Sequence, residues 1–484
     1  MEEFNIYKQT FKMVLFTVAA ILLCRFTHGY FGVVMTLMGV MCAAADKLGW
    51  ALVYFVIMPF FVVMNPMVLP KETSEFAYSL RFGPLLMGLV LALRGMARQG
   101  HHRLPFIYMA PFLVVAVFSF FDSWAPMISF MKWVNFVIFL VGMWFGTQNL
   151  QYRVRDVFIL RSFFLALACV LVFGSILLIP FPAISYATSL GYALREGGVE
   201  LATEVFKNMQ MEEAAYALFC GITNHSQAFA PVLVCVFGWV VCDMLFVERR
   251  FRWLHVLLII AIFPLLYMTR SRVALVSILF TLFIINFYVV RRIVLPDEIK
   301  VKLNQGLLLG VLLLGIGAAV MQMRGGMLSQ WVRKTNDVQY DKRTLVDALT
   351  SSRMGLMEQS MREFRRNPLV GSGFQVAEYT RDLVKASRGK FIISASIEKG
   401  LLPVMVLGET GIFGAVAFAI FLLMFYSTCA KRQYYVTITM FSILLVTNMG
   451  EATFFSPGGI GGILWMVCVV GGFTIDTVIL HRGK

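Results

Sequence analysis

Two arginines two residues apart, Arg270 and Arg272, sit inside Leu265–Leu275 (LLYMTRSRVAL), at the junction of two apolar stretches. A cation at a membrane boundary is costly unless it meets headgroups, water or an anionic ligand. A planar guanidinium binds two phosphate oxygens at once, so the pair reads as a clamp for a phosphate-bearing group. On a regular helix this spacing points the two side chains apart. A break in the helix that includes them would let both converge; the alternative is snorkelling to lipid headgroups.

Other residues supply complementary chemistry. His225 stands beside Thr223, Asn224 and Ser226 at the start of another apolar stretch. An imidazole there can take the proton of an acceptor hydroxyl near neutral pH, with Asn224 as a substrate contact. The same cluster equally suits a helix N-cap. Glu398 and Lys399 precede a re-entry into apolar sequence. Glu398 is a candidate general base and Lys399 a substrate contact, or the two form a solvated ion pair. Glu409 lies two to three turns inside an apolar run, where an acid either serves a site or holds neighbouring helices together. Arg353 opens a polar helical stretch and either closes over a phosphate or is an ordinary helix-face arginine.

The elements that must position these groups are membrane spans. Of 484 residues, 59% are hydrophobic and 14% charged, and the mean hydropathy is +0.78. Those values exclude a soluble domain. Apolar runs fall near 12–24, 30–45, 49–69, 82–96, 105–121, 127–146, 157–180, 226–246, 253–269, 273–290, 305–321, 402–427, 434–449 and 460–480. The chain is therefore expected to be an all-α polytopic membrane protein of about 12–14 transmembrane helices, at ~20 residues per crossing. The net charge of +15 would suggest nucleic acid in a soluble protein. Here it marks cytoplasmic loops facing anionic lipid, and no nucleic-acid partner is expected.

Charge also orients the spans. Arg94, Arg98 and Arg103 share one connection, and Arg153, Arg155 and Arg161 follow two spans later. Then come Arg249, Arg250 and Arg252, then Arg291, Arg292, Lys300 and Lys302, then Lys431 and Arg432, and finally Arg482 and Lys484. In a fourteen-span arrangement all these clusters fall on one side, which is then cytoplasmic along with both termini. The first apolar run lacks a small-residue cleavage site, so no cleavable signal peptide is expected. Arg270 and Arg272 fall on the opposite, outer side.

Five regions result: an N-terminal transmembrane bundle (1–180), an outer loop (181–225), central transmembrane helices bearing the Thr-Arg-Ser-Arg stretch (226–321), a long outer, periplasmic loop lobe containing helices (322–401), and C-terminal transmembrane helices (402–484). The first loop carries Glu196, Glu200, Glu204, Glu212 and Glu213; the second is basic throughout. Within the second, Leu345 to Phe364 reads as an amphipathic helix with an apolar stripe of Leu345, Leu349, Met354, Met357 and Met361. Asn367-Pro368 stops it and Gly371-Ser372-Gly373 turns the chain. The Pro457 to Gly472 cluster of small residues reads as close helix contact.

The order of these features resembles the O-antigen ligase and polymerase family, bacterial membrane glycosyltransferases with a Wzy-type core. Four segments between about 220 and 425 carry the resemblance: Gly221-Ile222-Thr223-Asn224-His225-Ser226; Thr269-Arg270-Ser271-Arg272; Ser352-Arg353 through Asn367-Pro368-Leu369-Val370-Gly371-Ser372-Gly373-Phe374; and Leu407-Gly408-Glu409-Thr410-Gly411-Ile412-Phe413-Gly414. The chain departs from the family where many ligases carry a histidine, here Gly400, and where many members carry an arginine, here Leu218, Phe219 and Cys220. Ligase, polymerase and exopolysaccharide branches all stay open.

The resemblance implies a glycan donor on a polyprenyl pyrophosphate, a glycan or lipid-linked acceptor, an inner-membrane location in bacteria, and a possible chain-length regulator or export complex as partner. Catalytic roles fall to Arg270, Arg272, His225 and Glu398, and substrate contacts to Arg353, Asn224, Lys399 and Glu409. No cofactor or metal is expected: no Asp-x-Asp serves a nucleotide sugar, no Gly-x-x-x-x-Gly-Lys serves ATP, and the 8 cysteines form no Cys-x-x-Cys. The competing reading is a flippase or secondary transporter of a lipid-linked or anionic solute; a weaker third reading is an envelope scaffold.

Overall fold

A computed structural model describes residues 5–70, 74–97, 104–187, 218–248, 252–285, 288, 345–377, 400–450 and 452–482. The fold is mostly helical. Its helices are α1 (Ile6–Phe26), α2 (Tyr30–Ala44), α3 (Leu48–Val63), α4 (Ser74–Met96), α5 (Ala110–Phe118), α6 (Pro126–Gly146), α7 (Val154–Leu177), α8 (Ser226–Cys242), α9 (Trp253–Thr269), α10 (Arg272–Ile284), α11 (Leu345–Arg366), α12 (Leu402–Lys431), α13 (Tyr435–Thr447), α14 (Ile460–Trp465) and α15 (Gly471–Arg482). A π-helical stretch, Met466–Val470, joins α14 to α15, and another, Asp243–Glu248, extends α8. The only strands among the described residues are β1 (Tyr186–Ala187) and β2 (Leu218–Phe219), paired antiparallel.

Among the described residues seven helices are long and apolar enough to cross a membrane: Ile6–Phe26, Tyr78–Met96, Pro126–Tyr152, Val154–Leu177, Ala228–Glu248, Leu402–Lys431 and Ile460–His481. Six shorter apolar helices accompany them. A 13-residue helix such as α13 reaches only ~20 Å, less than the ~30 Å hydrocarbon core. The first run, short in the sequence reading, becomes a full 21-residue helix, because the residues from Ile6 to Phe11 add turns at its start, capped by the Asn5 side chain. The run 305–321 lies outside the described residues.

The chain divides into two compact units, the first formed by Met1–Met64, Leu69–Ala168 and Leu356–Lys484, the second by Asn65–Val68 and Cys169–Gly355. In the first, α4 packs against α2 and α6, α5 against α12, and α13 against α15. Helix α3 is apolar all round and buried from Ala51 through Phe61, as expected of a helix surrounded by others. The core beside it is aromatic. Phe112 stacks on Phe455 at 5.2 Å, Phe136 meets Phe455 edge-on at 5.3 Å, and Phe454 lies 4.7 Å from Trp465. The Trp465 Nε1–H donates to the Phe454 carbonyl at 2.6 Å, which satisfies the buried indole. In the small-residue cluster, a Cβ at Gly472 would stand 3.1 Å from the Thr437 Cα, so α15 does approach α13 closely there.

In the second unit α8 packs against α9 and α10. The polar knot at one end is built on Asn65. Its amide donates to the Ile184 carbonyl at 2.5 Å, its Oδ1 accepts from the Met67 N–H at 3.0 Å, and its own N–H donates to the Ile222 carbonyl at 2.8 Å. A fully buried asparagine thereby fixes two loops at once.

Candidate functional site

The second unit gathers the first group of candidates. Residues Gly221–His225 form the loop between β2 and α8. Gly221 adopts φ 54°, and a Cβ there would come within 2.4 Å of Ser175 Oγ. That same hydroxyl accepts the Ile222 N–H at 3.2 Å. The Thr223 hydroxyl is within 2.8 Å of the Cys220 carbonyl and 3.1 Å of the His225 carbonyl. The His225 carbonyl in turn accepts from the Ala228 and Phe229 N–H groups at 3.1 and 3.0 Å. His225 therefore stands at the N-cap place of α8, its backbone opening the helix and its side chain half-buried. The Ser226 hydroxyl is buried and has no hydrogen-bond partner among the described residues.

A helix break falls at the arginine pair. Helix α9 ends at Thr269, and Arg270 caps it in the left-handed region at φ 50° and ψ 32°. Ser271 caps the next helix, its hydroxyl accepting the Ala274 N–H at 3.4 Å, and Arg272 is the first residue of α10. The regular-helix geometry that would splay the pair is absent. Arg270 belongs to the break and Arg272 to the first turn beyond it, where unpaired helical N–H groups favour anions. Both side chains are half-buried.

Chain direction brings the two groups to the same end. Helices α8 and α9 pack together and are joined through Glu248 to Arg252, so they run antiparallel. The start of α8, with Asn224 and His225, thus lies at the end of α9 that carries Arg270. Strand β2, immediately before the loop, also packs on α9.

The first unit holds a second polar group, centred on the turn after α11. Helix α11 stops at Arg366, before Asn367-Pro368, and the chain turns through Gly371 (φ 78°) and Gly373 (φ 122°). Opposite it, α12 is broken at Gly411 (φ 64°, ψ −166°). The two irregular segments satisfy one another. The Ser372 N–H donates to the Gly408 carbonyl at 3.0 Å and the Gly373 N–H to the Glu409 carbonyl at 3.3 Å. In return the Ile412 N–H reaches the Pro368 carbonyl at 2.9 Å and the Phe413 N–H the Leu369 carbonyl at 3.3 Å. Backbone groups freed by a break inside an apolar helix need such partners.

Around this lock the side chains are polar and buried. Glu409 is 1% exposed and Glu363 4% exposed. The Ser372 hydroxyl lies 3.1 Å from the Gly408 carbonyl and 3.4 Å from Glu363 Oε2, within reach of either. Ser129 on α6 donates to the Phe374 carbonyl at 2.9 Å, and Lys132, one turn further along α6, is buried. The Ser456 hydroxyl meets Gln375 Oε1 at 2.7 Å. The expected apolar stripe of α11 holds only in part: Met357 and Met361 are half-buried, and the side chains of Leu345 and Leu349 lie outside the described residues. Met354 is 51% exposed, whereas Ser360 and Glu363 are buried, because this face meets the backbone of the lock rather than an apolar surface.

Arg353 lies in α11 as expected, although its side chain is outside the described residues, as are Glu398, Lys399 and the glutamates of 188–217. Sequence reasoning passed over Lys132, Glu363, and the buried pair in which His255 Nε2 lies 3.0 Å from Asp243 Oδ2. For Lys132 and His255 the signal was available: each is a polar side chain inside an apolar run. Glu363 gave none, since helix-face glutamates are ordinary in a polar segment. Among the described residues no group of three His, Cys, Asp or Glu side chains is placed to hold a metal. No protein-family model matches the chain, and no curated protein matches it.

Proposed function

We propose that the chain is a metal-independent glycosyltransferase of the bacterial inner membrane, moving a glycan from a polyprenyl pyrophosphate to an acceptor hydroxyl at the outer, periplasmic face. The observation that carries this reading is the helix break at Arg270, at the same end of its unit as Asn224 and His225. The resemblance to O-antigen ligases and polymerases supports it through the same residues. On this reading the seven long apolar helices are spans, and the six shorter ones, with the run 305–321, complete the remaining crossings together with the turns that flank them.

The acceptor oxygen attacks the anomeric carbon, the bond from that carbon to the pyrophosphate oxygen breaks, and the lipid pyrophosphate leaves with the electron pair. Arg270 and Arg272 stabilise the charge that grows on the leaving oxygens. His225 takes the hydroxyl proton, with Glu398 as the alternative base. Arg353, Asn224, Lys399 and Glu409 contact substrate. The unsatisfied Ser226 hydroxyl favours a polar ligand beside His225, since a buried orphan costs ~1–3 kcal/mol. The test is transfer from a synthetic lipid-linked donor by purified protein in detergent. Arg270→Ala and Arg272→Ala are each expected to lower the rate ~100-fold or more while eluting as folded protein; wild-type rates in both would overturn the reading.

A second reading, a flippase or secondary transporter, is favoured by the broken helix α12 with buried Glu409 beside the break, since transporters place interrupted helices at their sites. Glycan elongation in detergent, where no gradient exists, would eliminate it. Transport of a lipid-linked solute in vesicles without any elongation would establish it instead.

A further inference from the structure

A cavity of about 440 Å³ in the first unit is lined by none of the candidate site residues named above and lies between the turn that precedes α7, the turn joining α12 to α13, and the end of α15. Its lining is Gln151, Tyr152, Arg432, Tyr434, Thr477, Leu480 and His481. Tyr434 and Thr477 are buried and form the floor, while Tyr152, Arg432 and His481 are exposed at the rim. The volume falls in the ~300–1,000 Å³ range of small-molecule sites.

The chemistry of the lining is one-sided. It offers a guanidinium, an imidazole, two phenols, an amide and a hydroxyl, and no carboxylate. The adjacent acid, Asp476, is turned away and already engaged. It accepts from the Val436 N–H at 2.9 Å, the Thr437 N–H at 2.7 Å and the Thr437 hydroxyl at 2.7 Å, capping α13. That capping also fixes the turn that presents Arg432 and Tyr434.

We propose that this cavity binds a phosphate ester, with Arg432 and His481 on the phosphate and the tyrosine hydroxyls on its ester oxygens. A guanidinium fork suits phosphate geometry, and a volume of about 440 Å³ leaves room for a glycerol- or sugar-sized substituent. The phosphate is carried either by an anionic lipid headgroup or by a free soluble ester. The inference is independent of the transferase reading.

Native mass spectrometry of the full chain in detergent tests it, with dioleoylphosphatidylglycerol, dioleoylphosphatidylcholine and sn-glycerol 3-phosphate as probes. Wild-type protein is expected to retain phosphatidylglycerol or glycerol phosphate in preference to phosphatidylcholine. Preference for the lipid with no competition by glycerol phosphate assigns a headgroup site; displacement of lipid by glycerol phosphate assigns a soluble ester. Arg432→Ala/His481→Ala is expected to weaken the retained probe about tenfold or more, and Arg155→Ala, an exposed arginine outside the cavity, to leave it unchanged. If the double variant does not elute as folded protein, Arg432→Gln reads the same loss. Retention of neither anionic probe by wild type, or equal loss on Arg155→Ala, overturns the proposal.

Discussion

Gly371 and Gly411 each occupy the space that the other's segment denies to a side chain. A Cβ on Gly371 would stand 2.3 Å from the Glu409 carbonyl, and a Cβ on Gly411 would stand 2.4 Å from the Leu369 carbonyl carbon. Both lie at positive φ. The turn after α11 and the break in α12 are therefore one structure, in which each segment supplies the hydrogen bonds the other lacks.

Alanine at either glycine should be strongly destabilising. The left-handed backbone alone costs ~1–3 kcal/mol in such strained positions, and backbone atoms inside van der Waals contact cannot move aside as a flexible side chain would. Gly355, exposed on α11 with nothing within 4 Å of an added Cβ, is the control, and Gly355→Ala should be neutral or stabilising by ~0.5–1 kcal/mol. Thermal unfolding in detergent compares the three. Equal midpoints would show that the lock contributes nothing.

Arg270 combines a backbone role with a charge, and glycine separates them. Arg270→Gly keeps the left-handed cap of α9, which glycine adopts without penalty, and removes the guanidinium. The variant is expected to unfold at or slightly above the wild-type midpoint while transfer from the lipid-linked donor falls ~100-fold or more. Retained transfer would assign Arg270 to capping alone.

Asp243 and His255 form a fully buried pair at 3.0 Å. Removing either partner takes this buried hydrogen bond from the other, at a cost of ~1–3 kcal/mol. Asp243→Leu and His255→Leu should each lower the unfolding midpoint, and the double variant should recover much of the loss, because replacing a buried polar pair by apolar side chains is often close to neutral. Additive losses in the double-mutant cycle would refute coupling between them.

How far the sequence reached differs by element. Hydropathy located thirteen of the apolar helices, and Asn367-Pro368 and the glycines after it marked where α11 ends and turns. Those features are local: a run of apolar side chains or a proline specifies its own neighbourhood. The break between Arg270 and Ser271 was legible only as a condition, since Thr-Arg-Ser-Arg is compatible with a continuous helix as well as with a cap followed by a new start.

In the apolar stripe expected for α11, Met354 departs for a different reason. Periodicity assigns the buried face to the apolar residues, but Ser360 is buried where its backbone faces Gly408 of α12, far along the chain, and Glu363 is buried beside Ser372 of the turn.

By itself, then, the sequence determined that the chain is helical and apolar along most of its length, and where its glycines and arginines interrupt that pattern. Tertiary structure alone decided which interruptions belong together: Gly371 with Gly411 in one unit, and the start of α8 with the end of α9 in the other. The physical reason is that a polar backbone group inside an apolar fold must be paired, and the chain carries no local record of the distant segment that pairs it.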